Sequence, residues 1–185
     1  MINRKFFFDY VRGHLFDGRL KQGQVNGLNA ILDEWDGRHA KKDDRWLAYM
    51  LATTHHETDR RMQPIEEYGR GRDHAYGVPD PDTGQTYYGR GFVQLTWKSN
   101  YETMGKRLKI DLVNHPELAL GLDVATEILF LGMMEGSFTG KKLSDYLNSA
   151  EEDWVNARRI INRLDKAALI ASYGKSYYAG ISYTT

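Results

Sequence analysis

Apolar residues recur at three- and four-residue intervals in several segments of the chain, a spacing that predicts helices. The first predicted helix begins around Asn26, runs to Trp35, and stops near Gly37, a residue type common at helix C-termini. Its apolar face consists of Val25, Leu28, Ile31, Leu32 and Trp35. This pattern is typical of a helix that packs one face against a core.

The second predicted helix follows a polar break, where Asp43 or Asp44 can accept hydrogen bonds from the free N–H groups of its first turn. Its stripe comprises Leu47, Met50, Leu51 and Thr54, and Thr58 and Arg61 continue it.

Glu57 lies near the buried side of this helix, three residues after Thr54. Partial burial there would raise the pKa of Glu57 and keep it protonated near neutral pH, as a general acid requires. The alternative is a surface glutamate paired with Arg60 or Arg61.

A second carboxylate follows a proline. Pro64 cannot continue a helix, so the chain must turn there, and Glu66 comes just beyond the turn, nine residues after Glu57. Two acids in different backbone settings can have pKa values shifted in opposite directions, which suits acid/base catalysis. Glu67 is also a possible base on its chemistry alone.

The segment 69–91 is dense in glycine, proline and aspartate, and we predict loops with a small hairpin around the turn sequence 80–84. A long irregular segment directly after a pair of acids favours a binding loop. Gln94, Thr96 and Asn100 follow it and offer amide and hydroxyl groups that can hold a water or a sugar hydroxyl.

Three more helices are predicted after Pro116. Asp123 is expected to cap a central buried helix over 124–136. Ser149 and Glu152 form a capping-box pattern ahead of a helix over 153–164, and Asp165 is expected to begin the last helix. The apolar residues of these last two helices are Trp154, Ala157, Ile160, Ile161, Leu164, Leu169, Ile170, Tyr173 and Tyr177. The predicted fold class is mainly α, in a single domain over 1–185.

Composition excludes several classes of function. Twenty-five basic and 25 acidic residues give a net charge of zero, which argues against nucleic acid as a partner. The absence of cysteine excludes disulfides and thiolate metal sites. No apolar stretch approaches a membrane span, and the three-residue run 6–8 is too short for a secretion signal. We therefore expect a protein made in the cytoplasm without stable membrane insertion.

Metal and cofactor chemistry has little support in the sequence. His55 and His56 precede Glu57, but no H-E-x-x-H spacing is present, so we expect neither a metal nor a cofactor and assign His56 a supporting hydrogen bond. Gly89 and Gly91 lack the spacing of a phosphate loop. Twelve tyrosines and four tryptophans would suit a cleft that stacks on sugar rings, although ordinary half-buried aromatic residues are the alternative.

Four segments resemble the family 19 glycoside hydrolases, the lysozyme-like group that contains chitinases and many phage endolysins. They are HET at 56–58, IEE at 65–67, YYGRGFVQLTWKSNY at 87–101 and IIN at 160–162. Phe92 stands where the family motif has proline, and Arg163 with Leu164 replaces a glycine pair.

This resemblance implies a lysozyme-like fold with a small β or loop element beside the active-site cleft. It implies Glu57 as general acid, Glu66 as general base by the nine-residue spacing, and Thr96 as the residue that positions the attacking water. The mechanism would be inversion, in which the two carboxyl groups stand roughly 6.5–9.5 Å apart to admit the water. The implied substrate-binding residues are Gln94, Asn100, Tyr88 and Asn162.

The leading functional hypothesis is a monomeric, peptidoglycan-degrading endolysin that cuts β-1,4 bonds of the bacterial wall, with a holin as the partner that releases it from the host cytoplasm. The first alternative is a chitinase acting on N-acetylglucosamine polymers. The second is a non-catalytic glycan-binding domain of the same fold. The sequence leaves the cleaved bond and the choice between Glu66 and Glu67 open.

Overall fold

The computed structural model describes residues 1–182 and confirms the predicted mainly helical, lysozyme-like class. Six α-helices surround a two-stranded sheet, and short 3₁₀ turns connect them. The helices are α1 (Arg4–Leu15), α2 (Gln22–Glu34), α3 (Asp44–Glu57), α4 (Lys98–Leu108), α5 (Leu122–Glu135) and α6 (Ala167–Ile181), and the strands are β1 (Ile65–Glu66) and β2 (Arg90–Gly91).

The helix α3 lies at the centre of the molecule. Every residue from Leu47 to His55 is buried, and α6 packs along its length. Gly174 of α6 leaves room for the Trp154 ring, since a Cβ there would lie 2.8 Å from that ring and 3.5 Å from the Tyr49 ring of α3. The helix α5, which we expected to be central, is buried on most of its surface but less completely than α3.

The predicted helix ends are partly confirmed. Asp43 caps α3, accepting a hydrogen bond from the Arg45 backbone N–H at 3.0 Å. Asp123 does not cap α5, since Gly121 occupies that position and Asp123 lies in the first turn. Asp165 does not begin α6, because Lys166 adopts a left-handed conformation (φ 55°) and separates it from the helix.

The helix predicted over 153–164 needs correction. This segment forms only a short 3₁₀ helix, Asn156–Ile160, in which the buried residues Trp154, Ala157 and Ile160 recur every three residues. The capping box is absent there, since Glu152 instead forms an isolated β-bridge with Leu147.

The helix α1 was not predicted from the sequence. Its buried residues Phe7, Val11 and Leu15 recur every four residues, and the helix packs against α6. The helix α2 is longer than predicted: it begins at Gln22, and a π-helical turn, Trp35–His39, extends it through Gly37.

The sheet joins distant segments rather than forming the predicted hairpin. In the antiparallel pairing of β1 with β2, Ile65 lies opposite Gly91 and Glu66 opposite Arg90. The 80–84 segment is a turn without flanking strands, closed by a hydrogen bond from the Gly84 N–H to the Asp80 carbonyl. Among residues 1–182, no helix is long and apolar enough to cross a membrane.

Candidate active site

The backbone leaves α3 sharply at Glu57. The Thr58 hydroxyl donates to the Thr54 carbonyl at 2.7 Å and accepts from the Met62 N–H at 3.0 Å, which folds the chain back on itself. Asp59, Arg60 and Met62 all have positive φ, between 50° and 62°. Left-handed non-glycine residues in succession are costly and are found where the surrounding structure fixes the backbone. The turn predicted at Pro64 therefore begins directly after Glu57.

Glu57 forms an ion pair that the sequence analysis missed. The Arg158 Nη1 donates to the Glu57 carboxylate at 2.6 Å, and the two side chains are 3% and 16% exposed. Neither of the expected partners is used, since Arg60 pairs with Asp17 and Arg61 lies over the Tyr68 ring. Arg158 is in the segment mispredicted as a helix, so sequence spacing gave no signal for this contact.

Glu66 and Glu67 have different partners because side chains alternate along an extended chain. The Tyr88 hydroxyl donates to Glu66 at 2.6 Å, and Arg70 forms an ion pair with it at 2.7 Å. Glu67 instead accepts hydrogen bonds from the Gly89 N–H at 3.0 Å and the Tyr76 hydroxyl at 2.9 Å. The hydrogen bond from Tyr88, followed by that from Arg70, lowers the pKa of Glu66.

A cleft of about 600 Å³ runs between these elements. Glu57 and Glu67 both line it, whereas Glu66 and Tyr88 do not. Glu66, favoured by its nine-residue spacing from Glu57, is therefore not among the residues that line the cleft. Glu67, ten residues after Glu57, does line it. The other lining residues are Tyr76, Gly89, Val93, Gln94, Leu95, Thr96, Trp97, Asn100, Phe138, Ile161 and Asn162.

Thr96 and its neighbours form a hydrogen-bonded group in the cleft. The Thr96 hydroxyl donates to the Gln94 carbonyl at 2.7 Å, so its oxygen remains available to accept a hydrogen bond from a water. The Asn100 amide donates to the Thr96 carbonyl at 2.7 Å and fixes that loop. Gln94 braces the sheet, with its amide nitrogen 3.1 Å from the Ile65 carbonyl and 3.3 Å from that of Gly91.

The YYGRG segment, residues 87–91, contains a buried arginine that packs against neighbouring tyrosines. Arg90 is buried, and its guanidinium lies 3.6 Å from the centre of the Tyr88 ring. It donates to the Thr86 carbonyl at 3.0 Å and to the Tyr101 hydroxyl at 3.1 Å. Tyr88, predicted to bind substrate, is therefore placed between this cation and Glu66, away from the cleft.

Trp97, Tyr76 and Phe138 line the cleft but were not predicted as site residues. Trp97 is 51% exposed, has a positive φ of 75°, and packs edge-on against Tyr76, whose hydroxyl holds Glu67. Burial, with the hydrogen bond to Glu67, raises the pKa of Tyr76 to about 12, so it stays a donor. Phe138, from the loop after α5, also lines the cleft. Asn162 lies on the cleft as predicted, while its side-chain oxygen accepts from the Arg163 N–H at 2.8 Å.

His55 is a buried residue that contacts the helix α6. It is 1% exposed, and its Nδ1 lies 3.0 Å from the Tyr177 hydroxyl. Burial, aided by the charges of Arg60 and His56, lowers the pKa of His55 to about 4. Within residues 1–182, no group of three or more histidines and carboxylates is placed to hold a metal.

A mainly helical fold with two glutamates on one cleft is typical of the lysozyme-like glycoside hydrolases. The family described as class I chitinases, glycoside hydrolase family 19, matches residues 37–131, which are 95 of the 185 residues. The chain belongs to this family.

Relatives and solved structures agree with this assignment. The chain is 37% identical to an endochitinase of Arabidopsis thaliana over 118 residues, 60% of this chain and 40% of the relative. It is 38% identical to an acidic endochitinase of Petunia hybrida over 71 residues, 38% of this chain and 27% of the relative. The match thus spans about a quarter to two fifths of these relatives.

The fold is shared with two solved chitinases. Chitinase C from Streptomyces griseus has a TM-score of 0.65 at 19% identity, covering 100% of this chain and 79% of that one. The class IV chitinase from Zea mays has a TM-score of 0.59 at 15% identity, covering 93% and 90%. At these identities the likeness establishes the fold alone.

Proposed function

We propose that this protein hydrolyses β-1,4-linked N-acetylglucosamine polymers with inversion, using Glu57 as general acid and Glu67 as general base. The observation that carries the proposal is that these two carboxylates line one cleft together with Thr96. The substrate is proposed from the chitinases that the chain resembles, and it replaces peptidoglycan as the first candidate.

In this mechanism Glu57 protonates the glycosidic oxygen while Glu67 takes a proton from a water that attacks the opposite face of the sugar. Arg158, at 2.6 Å, stabilises the carboxylate that remains on Glu57 when its proton has been transferred. The Gly89 N–H and the Tyr76 hydroxyl fix the orientation of Glu67. The Thr96 hydroxyl, which donates its own hydrogen bond to the Gln94 carbonyl, accepts a hydrogen bond from the second O–H of the water and so orients it.

Assigning the base to Glu67 revises the choice of Glu66. Both carboxylates accept two hydrogen bonds, but only Glu66 is paired with a cation, Arg70, and it lies outside the cleft lining. Its lowered pKa would also make it a poor proton acceptor.

The two adjacent glutamates allow a matched test on chitin oligosaccharides. Glu57→Gln and Glu67→Gln should each reduce kcat by at least about a hundredfold with folding intact, because general acid–base catalysis contributes about 10²–10⁴-fold. Glu66→Gln should retain most of the activity. Loss of activity in Glu66→Gln but not in Glu67→Gln would overturn the assignment, and proton NMR of the first product should show the inverted anomer.

Peptidoglycan is the second candidate, because it contains the same β-1,4-linked amino sugars and because Arg61 beside the cleft has no carboxylate partner among the described residues. In that case we propose a monomer that acts on the wall after release from the cytoplasm. Parallel assays on peptidoglycan and chitin oligosaccharides decide the order. If neither polymer is cut and Glu57→Gln binds them as the native protein does, the domain is a glycan-binding one.

A further inference from the structure

A second concavity lies where the α1–α2 loop meets the turn after α3. This groove has a volume of about 1000 Å³. Its walls carry four cationic and two acidic side chains. They are Arg19, Lys21, Arg60, Arg61, Asp17 and Asp59, and the remaining lining residues are Phe16, Leu20, Gly23, Gln24 and Gln63.

The charges in the groove are unbalanced after pairing. Arg60 forms an ion pair with Asp17 at 2.6 Å, and Asp59 accepts from the Tyr68 hydroxyl at 3.3 Å. Within residues 1–182, the other three cations, Arg19, Lys21 and Arg61, have no carboxylate oxygen within the 4.0 Å of an ion pair, and all three are exposed. Asp59 keeps its own charge, so the four cations and two carboxylates leave an excess of two positive charges in the groove of a chain whose net charge is zero.

Two consecutive residues relate the groove to the cleft. Glu67 lines the cleft, and Tyr68, the next residue, is 67% exposed. The Tyr68 hydroxyl contacts Asp59, and the Arg61 guanidinium lies 5.5 Å from the centre of the Tyr68 ring, so both of its contacts are walls of the groove. Residues 67 and 68 thus connect a wall of the cleft with a side chain that contacts two walls of the groove.

We infer that this groove binds carboxylate or phosphate groups attached to a glycan whose amino-sugar backbone lies in the cleft. The inference rests on the proposed function for the backbone and adds an anionic class of substrate to it. Guanidinium groups pair readily with both oxyanions, and Arg19 and Arg61 supply two of them without first breaking an ion pair. Unsubstituted chitin, being neutral, would make no use of this charge.

The test compares Arg19→Gln/Lys21→Gln/Arg61→Gln with native protein by co-sedimentation with insoluble peptidoglycan and with chitin particles. Peptidoglycan binding should weaken about tenfold, by analogy with the loss of three charge contacts at a surface, while chitin binding stays unchanged. The binding that remains should be less sensitive to salt than that of the native protein. The control variant Lys41→Gln/Lys106→Gln/Lys175→Gln removes the same charge from exposed sites outside the groove and should bind as native.

Peptidoglycan stripped of phosphate polymers by acid identifies the oxyanion. A loss that persists on stripped material assigns carboxylates, and a loss confined to unstripped material assigns phosphates. Equal peptidoglycan binding by native protein and groove variant, or an equal loss in the control variant, overturns the inference. Turnover of neutral chitin oligosaccharides is measured on the same samples, so a failure of the proposed function is seen separately from a failure of the groove.

Discussion

Arg158 and Glu57 form an ion pair at 2.6 Å although 101 residues separate them in the sequence. Arg158 is held in place by a second hydrogen bond, from its Nε to the Asp165 carbonyl at 3.1 Å. The orientation of the proposed acid thus depends on the loop between α5 and α6, which also contributes Phe138, Ile161 and Asn162 to the cleft lining.

Removal of this cation should affect both stability and catalysis. Arg158→Gln leaves a largely buried carboxylate unpaired and should lower the free energy of unfolding by about 3 kcal/mol, with a further loss of kcat at temperatures where the variant is folded. Arg158→Lys should be milder, since it keeps the charge. Urea denaturation and kcat on chitin oligosaccharides measure the two effects. Arg159→Gln, at an exposed neighbouring position, is the control, and equal losses in both variants would contradict the role of the pair.

Tyr88→Phe should destabilise the protein in a pH-dependent way. The pKa of Glu66 is lowered below 4.5, first by the hydrogen bond from Tyr88, so this stabilisation is present above pH 4.5 and is lost as the pH falls through the folded-state pKa. The difference in urea midpoint between Tyr88→Phe and native protein should therefore be largest near neutral pH and narrow in acid. A difference that stays constant from pH 7 to pH 3 would contradict this.

His55 should make the fold sensitive to mild acid. Its folded-state pKa of about 4 lies below the unfolded value of 6.5, so between these pH values the unfolded chain binds more protons and acid favours unfolding. The stability lost between pH 7 and pH 4 is at most about 3 kcal/mol for this group. His55→Gln does not titrate and should flatten the dependence of unfolding free energy on pH in this range. Parallel curves for the two proteins would exclude the effect.

Gly89→Ala should disturb the proposed base. A Cβ at this position would lie 2.9 Å from the Gln94 side-chain oxygen and 3.3 Å from the Glu67 Cβ, so one of them must move. We expect kcat to fall at least about tenfold and stability to fall by about 1–3 kcal/mol. Gly13→Ala provides the contrast, because it has open space in α1 and should stabilise the protein by about 0.5–1 kcal/mol. Unchanged kcat in Gly89→Ala would show that Glu67 does not need this contact.

The helices that the sequence predicts well are those with a continuous apolar stripe and a capping side chain, as in α3 with Asp43. The segment 153–164 has apolar residues that suit both a 3.6-residue and a three-residue period, and only packing against the core selects the shorter one. The local sequence therefore does not determine whether this segment forms an α-helix or a 3₁₀ helix.

In the candidate site, too, the sequence predicts some features and leaves others to the tertiary structure. Motif spacing located Glu57, Thr96, Gln94, Asn100 and Asn162, all of which line the cleft. It favoured Glu66 over Glu67 by the nine-residue spacing, but a shift of one residue in an extended chain turns the side chain to the other face. The pairing of β1 with β2, a contact between distant segments, fixes the backbone from which the two side chains diverge.

The burial of Arg90 has an electrostatic consequence for this region. A guanidinium keeps its proton at any pH at which a protein remains folded, whereas a desolvated lysine at the same place would readily lose one. The contribution of the Arg90 charge to the lowered pKa of Glu66 therefore does not change with pH. Changes of pH reach this side of the sheet only through the ionisation of the carboxylates themselves.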